Sequence, residues 1–331
     1  PRPGCSHRLH PRQFDGPHDD ATFIPAPAVV AGMDTYRALQ VDAFTDEPLS
    51  GNPAGVIPDA DGLEPERMQA VAAELSVSET AFVHPSGSAD FRLRYFTPTT
   101  EVDLCGHATV ATFGHLSEDG VVEPGTYAVE TNVGVLDVTV EDDGTVWLDQ
   151  DTPTVVEVEL SYDRVADALG IDVATLQDVG ADLPLAIAEA GVRYLVVPVN
   201  FLEHLGDVDP DLGAVEELTE EVDATGLYAF TFDAVGAESQ LHARMFAPGA
   251  GIPEDPVCGT GAGAVTAYLD HYGAFADEFP DEVVIEQGHF VDRPGQVRAR
   301  TAPLRVGGRS VTALDGSLVV PEADEDEILE A

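Results

Sequence analysis

The sequence predicts an α+β protein of two pseudo-symmetric lobes, each a mainly antiparallel β-barrel or roll around a central α-helix. Three observations lead there. The chain copies itself: Arg94-Tyr95-Phe96-Thr97-Pro98 leads to Cys105-Gly106-His107, and Arg244-Met245-Phe246-Ala247-Pro248 leads to Cys258-Gly259-Thr260. Apolar residues alternate in many short runs separated by turn residues, the period of antiparallel strands with one buried face. Segments 106–116 and 259–270 are built of Ala, Gly, Thr, Val and Leu almost all round. A helix apolar on every side belongs inside something.

In chain order, residues 1–33 read as a disordered extension without apolar periodicity, the first Met being Met33. Phe23 to Ala31 is apolar but broken by prolines, and it lacks the basic-then-apolar order of a signal peptide. Cys5, His7 and His10 could ligate a metal, but a solvated extension is the stronger reading. Residues 34–150 read as the N-terminal lobe, 151–320 as the C-terminal lobe and 321–331 as a solvated acidic tail, the lobes meeting between Trp147 and Pro153. Period two marks strands at Leu39/Val41/Ala43, Phe91/Leu93/Tyr95, Leu136/Val138/Val140, Val156/Val158/Leu160 and Leu241/Ala243/Met245. Met68, Val71, Ala72 and Leu75 give an amphipathic helix, and Ser161 opens another that ends near Gly170.

Composition removes whole classes of function. There are 61 acidic residues against 15 basic ones, all 15 of them Arg, so the formal charge is −46. Without Lys there is no pyridoxal Schiff base, no P-loop Lys and no Lys nucleophile. Charge of this sign and size excludes nucleic acid and anionic membranes as partners, and no apolar run reaches the length of a membrane span. Self-repulsion at this density calls for screening by molar salt, as in the cytoplasm of extreme halophiles. Three cysteines in 331 residues make no disulfide framework, which fits reduced thiols in a cytoplasmic protein.

Chemistry concentrates at the copied Cys-Gly steps. A thiol at a helix N-terminus feels unpaired amides, so Cys105 and Cys258 are expected to have lowered pKa values and to face each other across one cleft. The amides of Gly106-His107 and Gly259-Thr260 could cradle a substrate carboxylate. His107 sits where it could tune Cys105 or bind substrate. Asp255 either holds a ligand's ammonium group or steadies the second helix. Glu79, in Ser78-Glu79-Thr80-Ala81-Phe82, is an acid/base candidate, although a solvated strand end is the commoner fate of such a carboxylate. Asn52 sits at a Gly-Asn-Pro turn, where a structural role is the default. The glycines of 259–263 do not read as a dinucleotide fingerprint, because no apolar strand runs directly into them and no βαβ unit is evident. No metal and no cofactor is called for.

The residues taken together resemble the PhzF-type phenazine-biosynthesis family, which shares the diaminopimelate epimerase fold. The matching segments are Val41-Asp42-Ala43-Phe44-Thr45, Gly51-Asn52-Pro53-Ala54-Gly55-Val56, Ser78 to Phe82, Phe96-Thr97-Pro98 and Cys105-Gly106-His107-Ala108-Thr109. Glu254-Asp255-Pro256, Gly259-Thr260-Gly261, Glu286-Gln287-Gly288 and Arg293-Pro294 continue them in order. The resemblance implies a homodimer of two-lobed chains, a cofactor-independent site between the lobes and a small-molecule substrate. It also implies that Glu79 is the proton shuttle, with His107 and Asp255 positioning substrate. The chain departs from the pattern at Cys258, where such proteins usually carry Thr or another non-thiol residue, and at Asp292, where Gly is expected.

Three functions therefore stand. The first is a PhzF-like isomerase moving a proton on carbon through Glu79. The second is an amino-acid racemase or epimerase using Cys105 and Cys258 as opposed acid and base. The third is a catalytically idle ligand-binding or redox-responsive protein.

Overall fold

The two copied segments occupy equivalent places in a topology that repeats strand for strand. The computed structural model describes residues 33–321 apart from 178, 180–181 and 276–277. The Cys5/His7/His10 cluster and nearly all of the N-terminal extension and the acidic tail lie outside the described residues.

The first half runs β1 (Met33–Ala43), β2 (Asn52–Ile57), α1 (Pro65–Leu75), β3 (Thr80–His84), β4 (Phe91–Phe96) and β5 (Glu101–Val102). It continues with α2 (Gly106–Glu118), β6 (Gly125–Thr131), β7 (Gly134–Val140) and β8 (Val146–Asp149). The second half opens with β9 (Thr154–Glu157), α3 (Tyr162–Leu169), α4 (Ala174–Gln177), β10 (Ala186–Glu189) and β11 (Arg193–Pro198). Then come α5 (Leu202–Gly206), α6 (Leu212–Glu221), β12 (Gly226–Thr231), β13 (Leu241–Ala247), β14 (Ile252–Asp255) and α7 (Gly259–Tyr272). β15 (Val283–Gln287), β16 (Gly295–Thr301), β17 (Leu304–Gly308) and β18 (Ser310–Pro321) complete it.

Corresponding pairings make the repeat explicit. β2 and β3 are parallel across α1, as β11 and β12 are across α5 and α6. β3–β4–β5 and β12–β13–β14 are antiparallel. β4 lies parallel to β6 across α2, and β13 lies parallel to β15 across α7. The antiparallel ladders β6–β7–β8 and β15–β16–β17 then meet edge to edge, β8 pairing with β17. β18 returns to the first half and pairs with β1 from Met33↔Pro321 to Ala43↔Ser310. β1, β2, β8 and β18 thus surround α2, while β9, β10, β11, β16 and β17 surround α7.

Small residues let the strands close around these helices. Every residue from Ala108 to Leu116 and from Gly261 to Leu269 is buried. The buried hydroxyls are satisfied within the helix: Thr112 donates to the Ala108 carbonyl and Thr266 to the Ala262 carbonyl, both at 2.7 Å. In β13 the period-two set Leu241, Ala243, Met245 and Ala247 joins the core around α7. Its neighbour Phe246 joins a second core beneath α3 and α6, so this strand is buried on both faces.

Some local readings need correction. α7 does lie in a β–α–β crossover, because β13 and β15 are parallel neighbours. A turn at Pro248–Ala250 and β14 intervene before its glycines, and those glycines permit close packing. A Cβ on Gly261 would lie 2.5 Å from the Tyr228 ring, and one on Gly263 would lie 3.0 Å from Val306. Val158 and Leu160 fall beyond the end of β9, where the chain turns into α3. Ser161 occupies the N-cap position of α3 without a side-chain capping bond, and Gly170 closes that helix in the left-handed conformation. Asp292, where Gly was expected, has a left-handed backbone (φ 57°), a conformation Asp tolerates better than most residues.

Candidate active site

Each copied hairpin is braced by the same ion pair. Arg94 makes a bidentate contact with Glu101, both bonds 2.8 Å, and Arg244 makes one with Glu254, again both 2.8 Å. Each guanidinium lies over the Phe two residues on, Phe96 at 5.3 Å and Phe246 at 5.1 Å. These braces fix where β5 and β14 hand the chain to α2 and α7. Cys105 and Cys258 occupy the two N-cap positions, both with extended backbone.

The helix mouths open into one cavity of about 240 Å³. Cys105, Gly106 and His107 line it from the first half, and Asp255, Cys258, Gly259 and Thr260 from the second. Phe44, Leu148, Met245, Val257 and Val306 supply an apolar wall.

Two predicted residues flank that lining. Glu79, at the entry of β3, places Oε2 3.4 Å from His107 Nε2. His107 in turn places Nδ1 3.4 Å from the Cys105 sulfur, and its Nε2 lies 3.2 Å from the Ser78 hydroxyl. Carboxylate, imidazole and thiol are therefore contiguous at the first mouth. At the second, Asn52 of β2 donates to Asp255 Oδ1 and to the Val257 carbonyl, each at 2.8 Å.

Burial overturns the expectation of activated thiols. Cys105 and Cys258 are only 8% and 5% exposed. Burial pushes the Cys105 thiol far above its ordinary value, and the Glu79 carboxylate adds to the effect. Cys258 is pushed up to about 12 by burial and then by Asp255. The helix amides contribute the opposite sign and are outweighed: the Gly261 N–H donates to the Cys258 sulfur at 3.4 Å. Asp255 is itself raised, chiefly by burial, with His107 opposing. Both thiols are thus protonated at neutral pH. Glu79, Cys105 and His107 have donor atoms within 4.8 Å of one another, and a metal there would have to displace the thiol proton.

The sequence reading missed two residues here. Tyr194 of β11 places its hydroxyl 2.8 Å from Thr260 Oγ1 and 3.3 Å from the Cys258 sulfur. It has no counterpart in the copied segments, so the repeat did not flag it; a lone phenol in a strand that is apolar after Arg193 was the available signal. Gln287 of β15 accepts from the Cys258 amide at 3.2 Å and donates to the Asp255 carbonyl at 2.7 Å.

Comparison with known proteins identifies the family and the fold. Residues 41–317 match the PhzC-PhzF family, described as phenazine biosynthesis-like protein. The chain belongs to that family. A Bacillus subtilis (strain 168) protein named "Uncharacterized isomerase YfhB" is 37% identical over 295 residues, covering 88% of this chain and 98% of that protein. The crystal structure of a PhzF-family phenazine biosynthesis protein from Bacillus anthracis superposes with a TM-score of 0.79 at 31% identity, covering 86% of this chain and 99% of that one. A hydroxyproline epimerase from Agrobacterium vitis shares the fold at a TM-score of 0.54 and 16% identity, covering 89% of this chain and 94% of its own. The PhzC-PhzF chain described here therefore has the diaminopimelate epimerase-like fold, common to PhzF proteins and racemase-like epimerases.

Proposed function

We propose that the protein is a cofactor-independent isomerase of the PhzF type, moving a proton on carbon in a small carboxylate-bearing molecule. Glu79 takes a proton from one carbon, the electron pair passes into the conjugated substrate, and Glu79 returns the proton to another carbon, with no net redox change. One observation carries the reading: a carboxylate, an imidazole and a thiol are contiguous at one mouth of a cavity that Asp255 and Thr260 also line. The relative named as an isomerase supports the reaction class. Two converging helix starts offer amides to a substrate carboxylate, while His107 and Asp255 position the rest. Positioned proton transfer of this kind contributes ~10²–10⁴-fold.

A second reading, racemisation by two thiols, is favoured by the placement of Cys105 and Cys258 in one cavity. Their raised pKa values weigh against it, since the attacking thiol must be a thiolate. Deuterium exchange in heavy water, screened over amino acids and cyclic carboxylates in molar KCl, separates the readings. Under the isomerase reading Glu79→Gln abolishes exchange and Cys258→Thr is tolerated. Loss of exchange in both Cys105→Ala and Cys258→Ala, with label at the α-carbon and Glu79→Gln active, would establish the racemase instead. Ligand binding without exchange by the wild type would leave neither.

A further inference from the structure

A second cluster of donors lies outside the catalytic cavity. We propose that His242, Glu286 and His289 form a binding site for a divalent transition cation of the zinc class.

The fold assembles the three from separate elements. His242 and Glu286 are register partners on the parallel strands β13 and β15. His289 follows in the short turn His289–Val291, folded back so that its ring centroid lies 4.7 Å from that of His242. Gly288 makes this reversal possible at φ 86°, where a Cβ would lie 2.1 Å from the Arg293 carbonyl oxygen.

Donor set and spacing suit such an ion. Two imidazoles and a carboxylate are a common zinc triad, and bonds of ~2.0–2.1 Å put tetrahedral donors ~3.3 Å apart. His242 Nδ1 is 3.3 Å from Glu286 Oε2, and one donor atom from each residue falls within 4.8 Å of the others. His242 is fully buried; its Nδ1 faces the Glu286 carboxylate and its Nε2 is left without a hydrogen-bond partner. An unsatisfied imidazole at such depth is costly unless another ligand completes it.

The outer shell and the route in are also present. Amides hold the Glu286 carboxylate in place, Val235 on Oε2 at 2.8 Å and Gly236 on Oε1 at 2.7 Å. Glu286 and His289 form part of the wall of a cavity of about 270 Å³, distinct from the catalytic one, through which an ion can enter. Three protein donors leave a coordination position for water there. The site also touches the chemistry at one remove. Gln287, the next residue of β15, holds the Cys258 amide and the Asp255 carbonyl, so a bound cation would brace that strand.

The test is cobalt(II) titration of the chelator-stripped full chain in molar KCl, followed by visible absorption, with zinc-dependent melting alongside. The expected result is one tightly bound ion per chain, no thiolate-to-metal charge-transfer band, and a raised melting temperature. His289→Ala and the size-conserving His289→Phe should weaken binding more than ~10-fold and cancel the melting shift, with circular dichroism unchanged in at least one of them. Absence of binding, binding undisturbed in a folded His289 variant, or a charge-transfer band that disappears in Cys105→Ala or Cys5→Ala would overturn the proposal.

Discussion

Asn52 of the first half holds Asp255 of the second: one amide group donates to the carboxylate at 2.8 Å and to the Val257 carbonyl at 2.8 Å. Since Asn52 is 3% exposed, water cannot replace it. Asn52→Ala should therefore cost about 1–3 kcal/mol of stability and lower kcat/KM at least ~10-fold by releasing Asp255. Asn52→Asp keeps the shape but sets one carboxylate against another, so its loss should be larger. Denaturant titration at fixed KCl, with steady-state kinetics on any substrate found by exchange, checks both; an active, fully stable Asn52→Ala would sink the positioning role.

The raised thiols give a pH dependence with a definite sign. Cys258 rises from 9.0 to about 12 on folding, chiefly through burial and then through Asp255. Below about pH 9 the thiol is protonated in folded and unfolded chains alike, and stability is at its full value. Between about 9 and about 12 the unfolded chain loses the proton while the native chain keeps it, so stability falls as pH rises. Cys258→Ala should flatten this alkaline limb in melting scans. Iodoacetamide at pH 8 should label Cys105 and Cys258 far more slowly in the native protein than in urea, and Asp255→Asn should quicken Cys258.

The two braces are chemically alike and differ in burial. Arg244 also donates to the Leu205 and Val208 carbonyls, at 3.2 and 2.7 Å, and its side chain is 7% exposed against 17% for Arg94. Arg244→Met strands a half-buried carboxylate and two buried carbonyls, and should cost about 3 kcal/mol. Arg94→Met should cost about 1 kcal/mol, nearer the value of a partly exposed pair. Equal costs in chemical denaturation would show that burial does not set the difference.

The copied motif made the architecture legible, because Arg-x-Phe-x-Pro and Cys-Gly mark the same hairpin and helix start in each half. The braces completing those hairpins were hidden, since Glu101 follows Arg94 by seven residues and Glu254 follows Arg244 by ten. The helix start alone suggested lowered thiol pKa values, and only burial beside Glu79 and Asp255 shows which effect wins. The return of β18 to β1 was also illegible, because strand pairing across nearly the whole chain leaves no local signature.

Screening by salt is the last consequence, and it follows from where the cations are. Arg37, Arg94, Arg164, Arg244, Arg293, Arg298, Arg300, Arg305 and Arg309 each already face an Asp or Glu within ion-pair distance. Against 61 acidic residues the chain's 15 Arg cannot offset more than a minority, so most surface carboxylates repel one another unopposed. Raising KCl from ~0.1 M to ~1 M shortens the screening length from about 10 Å to about 3 Å, below the usual spacing of surface charges. Melting temperature and refolding yield should therefore climb steeply across that interval, and an equal ionic strength of NaCl should act alike if screening is the cause. A melting temperature that does not move between those two concentrations would show that the acidic surface imposes no demand for salt.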